Sequence, residues 1–215
     1  MRVPPKRPRL VGKQVVAIIR KAIEERKITL ARFLAVARHY MFRVQSELVP
    51  LQEDGQAKCF EGGRTWHSRV EIHGRDATVH LRIRKTEPHG AVVARTCVCK
   101  SQGPILCGPC SLRAQIMENR PASRDPSLPV FDLDQRRSID DLRRWAAAVG
   151  AERPSWHAMR RGMATDMLKS GSSVAQIVTA GGWRSTAFIR YFLREDIDRE
   201  AACNFVVDHS VSEGD

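Results

Sequence analysis

The sequence predicts a mainly helical α+β domain with one small antiparallel three-stranded sheet. Three observations predict it. Apolar residues recur at three- and four-residue spacing over most of the chain, the mark of helices with one buried face. The period drops to two only between Val70 and Val93. Gly, Pro and Ser stand where these patterns begin and end. With 215 residues, 42% of them hydrophobic and 28% charged, the chain can bury the core of one ordinary domain.

Taken in order, the first helix begins at Gly12, with Val15, Ile18, Ile19, Ala22 and Ile23 on one side and Arg20, Lys21, Glu24 and Glu25 on the other. Thr29 is placed to cap a second helix bearing Leu30, Phe33, Leu34 and Ala37. A turn around residues 42–45 leads to a short helix with Leu48 and Leu51. Val70 and Ile72 then mark a strand, followed by a turn at His73-Gly74-Arg75-Asp76. Val79, Leu81 and Ile83 mark a second strand, and Val92 and Val93 a third beyond the turn Glu87-Pro88-His89-Gly90.

After a cysteine-rich segment, a helix is predicted near Leu112–Glu118, and the prolines of residues 119–129 make a loop. Ser138 caps a helix through Val149, with Ile139, Leu142, Trp145 and Ala146 on its apolar side. Ser155 caps another that runs to Lys169 and stops at Gly171. Ser173 opens a third, ended by Gly181-Gly182, and Ser185 a fourth that carries Tyr191 toward Phe205. The organisation expected is a basic disordered arm over 1–12, a folded domain over 13–205 with an insertion at 97–110, and a flexible acidic tail over 206–215.

Thirty-six Lys and Arg against 24 Asp and Glu give a formal charge of +12, which points to nucleic acid or another polyanion as partner. No apolar run approaches the roughly 18 residues of a membrane-spanning helix. The opening MRVPPKRPRL lacks the apolar stretch of a secretory signal. Its patch Pro4-Pro5-Lys6-Arg7-Pro8-Arg9 suits a nuclear import signal or a phosphate-touching arm. Four of the six cysteines, Cys97, Cys99, Cys107 and Cys110, lie within fourteen residues. Without an export signal they read as a thiolate metal site, a closed structural zinc knuckle, in a reducing intracellular compartment. His89 is an alternative ligand, and reduced cysteines in a loop are the plainer reading.

The most informative stretch runs from Trp156-His157-Ala158-Met159-Arg160 through Gly181-Gly182-Trp183 to Arg190-Tyr191-Phe192. His157 and Arg160, three apart, share a helix face and can meet a phosphate together. Met163 and Met167 continue that spacing as core packing. This stretch resembles the C-terminal catalytic region of the tyrosine recombinases, the phage-integrase family. That family carries His-x-x-Arg opening a helix, a glycine followed by His or Trp, and then a nucleophilic Tyr. Upstream, Met41-Phe42-Arg43-Val44-Gln45-Ser46-Glu47-Leu48 looks like the segment with the family's first arginine, without the Thr-Gly-Leu that usually precedes it. Arg82-Ile83-Arg84-Lys85-Thr86-Glu87-Pro88-His89-Gly90 looks like the hairpin with the catalytic lysine, where Lys85 fits better than Lys58 or Lys100.

The resemblance implies a catalytic set of Arg43, Lys85, His157, Arg160, Trp183 and Tyr191, and physical chemistry accounts for each residue type. Arg43 and Arg160 would stabilise the charge of a five-coordinate phosphorus, with His157 and the Trp183 indole N–H as further donors. Tyr191 would attack, forming a phosphotyrosine, and Lys85 would protonate the departing 5′-oxygen. His157 could also take the tyrosine proton. No catalytic cofactor is needed, because fixed positive charge does a metal's work.

The implied partner is double-stranded DNA, bound by a homotetramer, inside the cell with the DNA (nucleus, or cytoplasm and nucleoid) and in a mobile-element or phage-like setting. Type IB topoisomerases use the same residues, so strand exchange and supercoil relaxation stay open. Family members place a helical core-binding domain of about 90 residues first; only about 40 residues precede Arg43, so either that domain is missing or the chain is a fragment or decayed copy. The alternatives are a non-catalytic DNA-binding protein, with residues 173–193 as a helix-turn-helix, and a zinc-dependent nucleic-acid module.

Overall fold

The structure is a computed structural model that describes residues 8–54, 68–81, 84, 90–99, 105–119 and 125–183. Six helices and three strands are described: α1 (Gly12–Glu24), α2 (Ile28–His39), a π-helical turn (Val44–Leu48), β1 (Arg69–His73), β2 (Asp76–Leu81), β3 (Ala91–Thr96), α3 (Gly108–Asn119), α4 (Gln135–Ala148), α5 (His157–Lys169) and α6 (Val174–Gly181). The expected class, mainly α with a three-stranded antiparallel sheet, is the class observed.

Helix α2 is the centre of the molecule. Leu30, Ala31 and the run from Phe33 to Arg38 are buried on all sides, as they must be for a helix packed against α1, α3 and α5. Phe33 holds Phe131 and Trp156 edge-on at 5.5 and 5.4 Å, the geometry that ring quadrupoles favour. Helix α1 covers α2 with Val15, Ile18, Ile19 and Ala22, and leaves Ile23 at its exposed margin.

The sheet runs in the order β1-β2-β3, with Val70 opposite Val79 and Val79 opposite Val93. Period-two alternation sends Val70, Ala77, Val79, Leu81, Ala91 and Val93 to the core and leaves Val92 exposed. Gly74, with φ of +54°, makes the β1–β2 turn. The sheet is anchored to α2 by Tyr40, whose hydroxyl donates to the Ala77 carbonyl at 2.9 Å.

Three helix starts differ from expectation. Helix α2 begins at Ile28 after Lys27, so Thr29 lies inside it. Asp134 caps α4, accepting from the N–H groups of Arg136 and Arg137 at 3.0 Å, and Ser138 is buried one turn in. A carboxylate at this end also suits the helix dipole. Helix α5 starts behind Trp156, and Ser155 contributes its carbonyl, to Ala158 N–H, rather than a side-chain cap. The Ser173 cap of α6 is present with its reciprocal Gln176 bond, and Gly182 ends the helix at φ of +61°.

Residues 8–11, expected within the disordered arm, lie across α5. Leu10 is fully buried, its N–H donates to the Ala158 carbonyl at 3.1 Å, and Arg161 Nε donates to the Pro8 carbonyl at 2.8 Å. Gly162 permits this approach, because a Cβ there would overlap the Leu10 carbonyl. Arg38 donates to the Leu10 carbonyl at 3.0 Å and pairs with Asp166, which also accepts from Gly12 N–H at 2.7 Å. No helix among the described residues is long and apolar enough to cross a membrane.

Candidate functional site

Below the main core lies a smaller one made of Met41, Ala164, Ile177 and Trp183, with Met163 and Met167 against it. It brings the end of α2, the middle of α5 and the end of α6 to one place. Two of the cationic side chains expected from the sequence, Arg43 and Arg160, lie beside it.

Arg43 stands in extended conformation before the π-helical turn. Glu47, one turn on, folds back over it: its carboxylate accepts from Arg43 N–H at 2.9 Å and from Arg43 Nη1 at 3.1 Å. Glu47 is itself buried, so its charge is tolerable only because such donors surround it. A third donor is Arg84 Nε, at 3.3 Å. Arg84 reaches onward, Nη2 donating to the Gly181 carbonyl at 3.1 Å. Arg160 meets the same carbonyl from the other side, through Nη2 at 2.5 Å, while its Nη1 donates to the Met41 carbonyl at 2.7 Å. The chain Arg43–Glu47–Arg84–Gly181–Arg160 is therefore continuous in hydrogen bonds.

Two glycines make room for it. The left-handed turn at Gly182 swings Trp183 back so that its indole lies under Arg160, with the guanidinium carbon 4.5 Å from the ring centroid. A Cβ at Gly181 would run into that indole, and one at Gly182 into the Arg84 guanidinium. Gly181-Gly182 thus does more than stop a helix.

His157 opens α5 at the rim of the cluster. Partial desolvation holds its pKa below the usual value, and the positive charges of Arg161, Arg160 and Arg43 act the same way, with Glu47 opposing. The imidazole is consequently neutral at neutral pH, able to accept a proton. Arg43, His157, Arg160 and Trp183 are brought together, whereas Lys85 and Tyr191 lie outside the described residues. The other tyrosine, Tyr40, is fully buried, stacks on Phe42 at 5.1 Å, and burial pushes its phenol pKa up. It is a core residue, unfit as a nucleophile.

No protein-family model matches the chain, and no curated protein matches it. Solved structures do. A XerH site-specific recombinase bound to its difH substrate, in a pre-cleavage complex, aligns with a TM-score of 0.62 at 11% identity over 96% of this chain and 55% of that one. A XerA recombinase aligns at 0.57 and 15% identity, over 97% and 66%. XerH in a post-cleavage complex with palindromic difH aligns at 0.60 and 12%, over 95% and 54%. The fold is that of the tyrosine recombinases. The chain spans between 54% and 66% of the length of these proteins.

Arg84 and Glu47 are the members of this hydrogen-bonded cluster that sequence reasoning missed. Both sit in segments singled out for a neighbour, Lys85 and Arg43, and neither type at its position announces burial.

The cysteine cluster lies where β3 ends and α3 begins. Cys97 follows β3, Cys99 comes next but one, and Cys107 and Cys110 belong to the start of α3. Their sulfurs all lie within 4.8 Å of one another, with Cys97 and Cys110 at 3.2 Å. A hydrogen bond with Cys110 draws the Cys97 thiol down to about 7, while burial pushes Cys107 up. The four sulfurs form a donor set that could hold a metal ion.

Proposed function

We propose that this chain cleaves and rejoins double-stranded DNA through a covalent 3′-phosphotyrosine, as a site-specific recombinase does. The observation that carries this reading is the gathering of Arg43, Arg84 and Arg160 around Glu47 and the Gly181 carbonyl, beside a neutral His157. Guanidinium groups fixed before substrate arrives need no reorganisation when negative charge builds on phosphate oxygens. Arg43, its side chain 17% exposed, is the least buried of the three arginines and would meet a phosphate first, while Arg160 stacks on Trp183.

In the forward step the Tyr191 oxygen bonds to phosphorus, its proton passing to His157, and the bond to the 5′-oxygen breaks with a proton supplied by Lys85. Rejoining is the reverse with another 5′-hydroxyl. No cofactor takes part, and the cysteine cluster stands outside this chemistry. The formal +12 charge supports a duplex partner, bound with steep salt dependence, and this reading expects assembly as a tetramer on paired sites inside the cell.

One observation favours a second reading, a DNA-binding protein without catalysis: Arg160 is only 1% exposed and donates to two backbone carbonyls. Nicked suicide DNA separates the two. A denaturation-resistant adduct that disappears in Tyr191→Phe supports cleavage; binding without adduct under any condition supports the second reading, and an adduct surviving Tyr191→Phe removes that residue from the mechanism.

A further inference from the structure

We infer that Cys97, Cys99, Cys107 and Cys110 hold one Zn²⁺ in a closed tetrathiolate, and that this ion fixes the tie running from β3 to Gly181 and Trp183. The site half goes with the donor chemistry. A Zn–S bond of about 2.3 Å puts tetrahedral sulfurs about 3.8 Å apart. The observed sulfurs, 3.2 Å apart at one edge and none beyond 4.8 Å, need move only by about an ångström to close on such an ion. All four positions belong to protein, which leaves none open to a substrate and makes the ion structural.

The surroundings suit a tetrathiolate, which carries net negative charge. Arg75, in the β1–β2 turn, donates from Nε to the Cys97 carbonyl at 2.8 Å and from Nη2 to the Cys99 carbonyl at 3.1 Å. Arg113, on α3, reaches the Gly74 carbonyl in the same turn. Arg75 thereby orients the ligand backbone, and both cations offset the charge of the sulfurs, as outer partners of metal sites do.

The coupling half follows from what the two ends of the cysteine segment hold. Just before Cys97, Arg95 donates from Nε to the His39 carbonyl at 3.1 Å and from Nη2 to the Ala180 carbonyl at 2.9 Å. Just after Cys107, Gly108 N–H donates to His39 Nδ1, an acceptor because burial lowers the His39 pKa to about 4. Both ends of the segment therefore grip the last turn of α2, and one also grips α6 a single residue before Gly181. An ion joining Cys97 to Cys107 and Cys110 locks β3 and α3 onto that corner, and with it the carbonyl shared by Arg84 and Arg160. Without the ion, hydrogen bonds are what the described residues offer to keep together the ends of a fourteen-residue segment.

The test uses the full chain and no DNA, so its failure and that of the proposed function are separate results. Purified protein is assayed for metal by atomic emission, stripped, and titrated with Co²⁺. One zinc per chain and an intense thiolate-to-cobalt charge-transfer band saturating at one equivalent support the site. Both are expected to weaken at least tenfold in Cys107→Ser and in Cys99→Ser, the latter replacing a half-exposed ligand that the core does not need. Absence of zinc together with absence of the cobalt band overturns the site. Amide exchange then reads the coupling: residues 180–183 are expected to exchange at least tenfold faster in the metal-free chain. The same acceleration is expected in zinc-loaded Arg95→Gln. Unchanged exchange at 180–183 on metal removal overturns the coupling.

Discussion

Arg144 on α4 and Arg84 beyond β2 are both held by carboxylates, but in opposite proportions. Arg144 makes a two-pronged bond to Glu25 at 2.7 and 2.6 Å and a third to Asp141 at 2.9 Å, and Lys27 joins Asp141 at 2.5 Å. Two cations meet two carboxylates, on a surface where Arg144 is 55% exposed, and the result staples α1 to α4. Around Glu47, Arg43 and Arg84 share one buried carboxylate, and their neighbour Arg160 is oriented by backbone carbonyls. Balanced charge at the surface is scaffold. Among the described residues, two guanidinium groups set against one buried carboxylate make a costly arrangement for folding alone, and on the proposed reading an incoming phosphate would relieve it.

The largest expected effect comes from breaking the frame where it meets charge. Arg160→Lys keeps the positive charge but cannot bridge the Met41 and Gly181 carbonyls while stacking on Trp183. Adduct formation on suicide DNA is expected to fall by about a hundredfold or more, the scale of losing one preorganised donor. A rate within a factor of three of the parent, in protein still folded by circular dichroism, would mean the frame has no catalytic role.

Gly182→Ala tests the same frame from the backbone. It forces a left-handed conformation on an L side chain and drives a methyl into the Arg84 guanidinium. The expected loss is about 1–3 kcal/mol of stability, read by urea denaturation, with a larger proportional fall in adduct formation because Arg84 must leave Glu47 or Gly181. Gly150→Ala is the control. Gly150 also has positive φ, at +67°, but a Cβ there meets nothing within 4 Å, so stability alone should move.

His157 sharpens the comparison through pH. Its pKa is lowered in the folded chain, so its neutral form persists as pH falls below the usual 6.5. The sign follows: any stability linked to this group is complete above its unfolded pKa and is lost as pH falls through the lowered value. On the proposed mechanism catalysis has the same direction, since a protonated imidazole could not take the tyrosine proton. Single-turnover adduct formation is expected to hold its rate down through pH 6.5 and fall below it. His157→Gln is expected to lower the plateau by about a hundredfold and abolish that acid limb. An acid limb unchanged in the variant would assign the titration to another group.

How much of this was legible in the sequence depends on the kind of signal. The strands were legible, because alternation puts Val70, Val79 and Val93 on the buried face of the sheet. The α6 stop was legible from Gly181-Gly182, but not the reason for two glycines, which is the approach of Trp183 and Arg84 from distant segments. Helix starts misled where serine or threonine stood near the boundary. Asp134 outcompetes Ser138 because it precedes the first turn, where unpaired N–H groups and the dipole both favour a carboxylate. Arg43, His157, Arg160 and Trp183 were found through resemblance, since spacing cannot show that Arg160 reaches the carbonyl of a residue 119 positions away. Arg84 was missed because periodicity counts apolar residues, and a buried arginine reads as a surface one until its carboxylate is located.

The smallest expected effect is at the surface pair. Glu25→Gln keeps the size but turns one accepting oxygen into an amide donor and removes the charge that Arg144 and the Trp145 indole N–H grip. Those bonds bring the Glu25 carboxyl down to about 2. A carboxyl lowered on folding stabilises above its unfolded pKa and loses that contribution as pH falls through the folded one, so the variant should flatten the acid side of the stability curve between about 4.5 and 2. At neutral pH the change in Tm is expected to be roughly a degree or two, because solvent screens a pair this exposed. Adduct formation should be unaltered. A fall in adduct formation comparable with that of Gly182→Ala would mean the α1–α4 staple reaches the arginine frame, and the division between balanced scaffold and cationic site would fail.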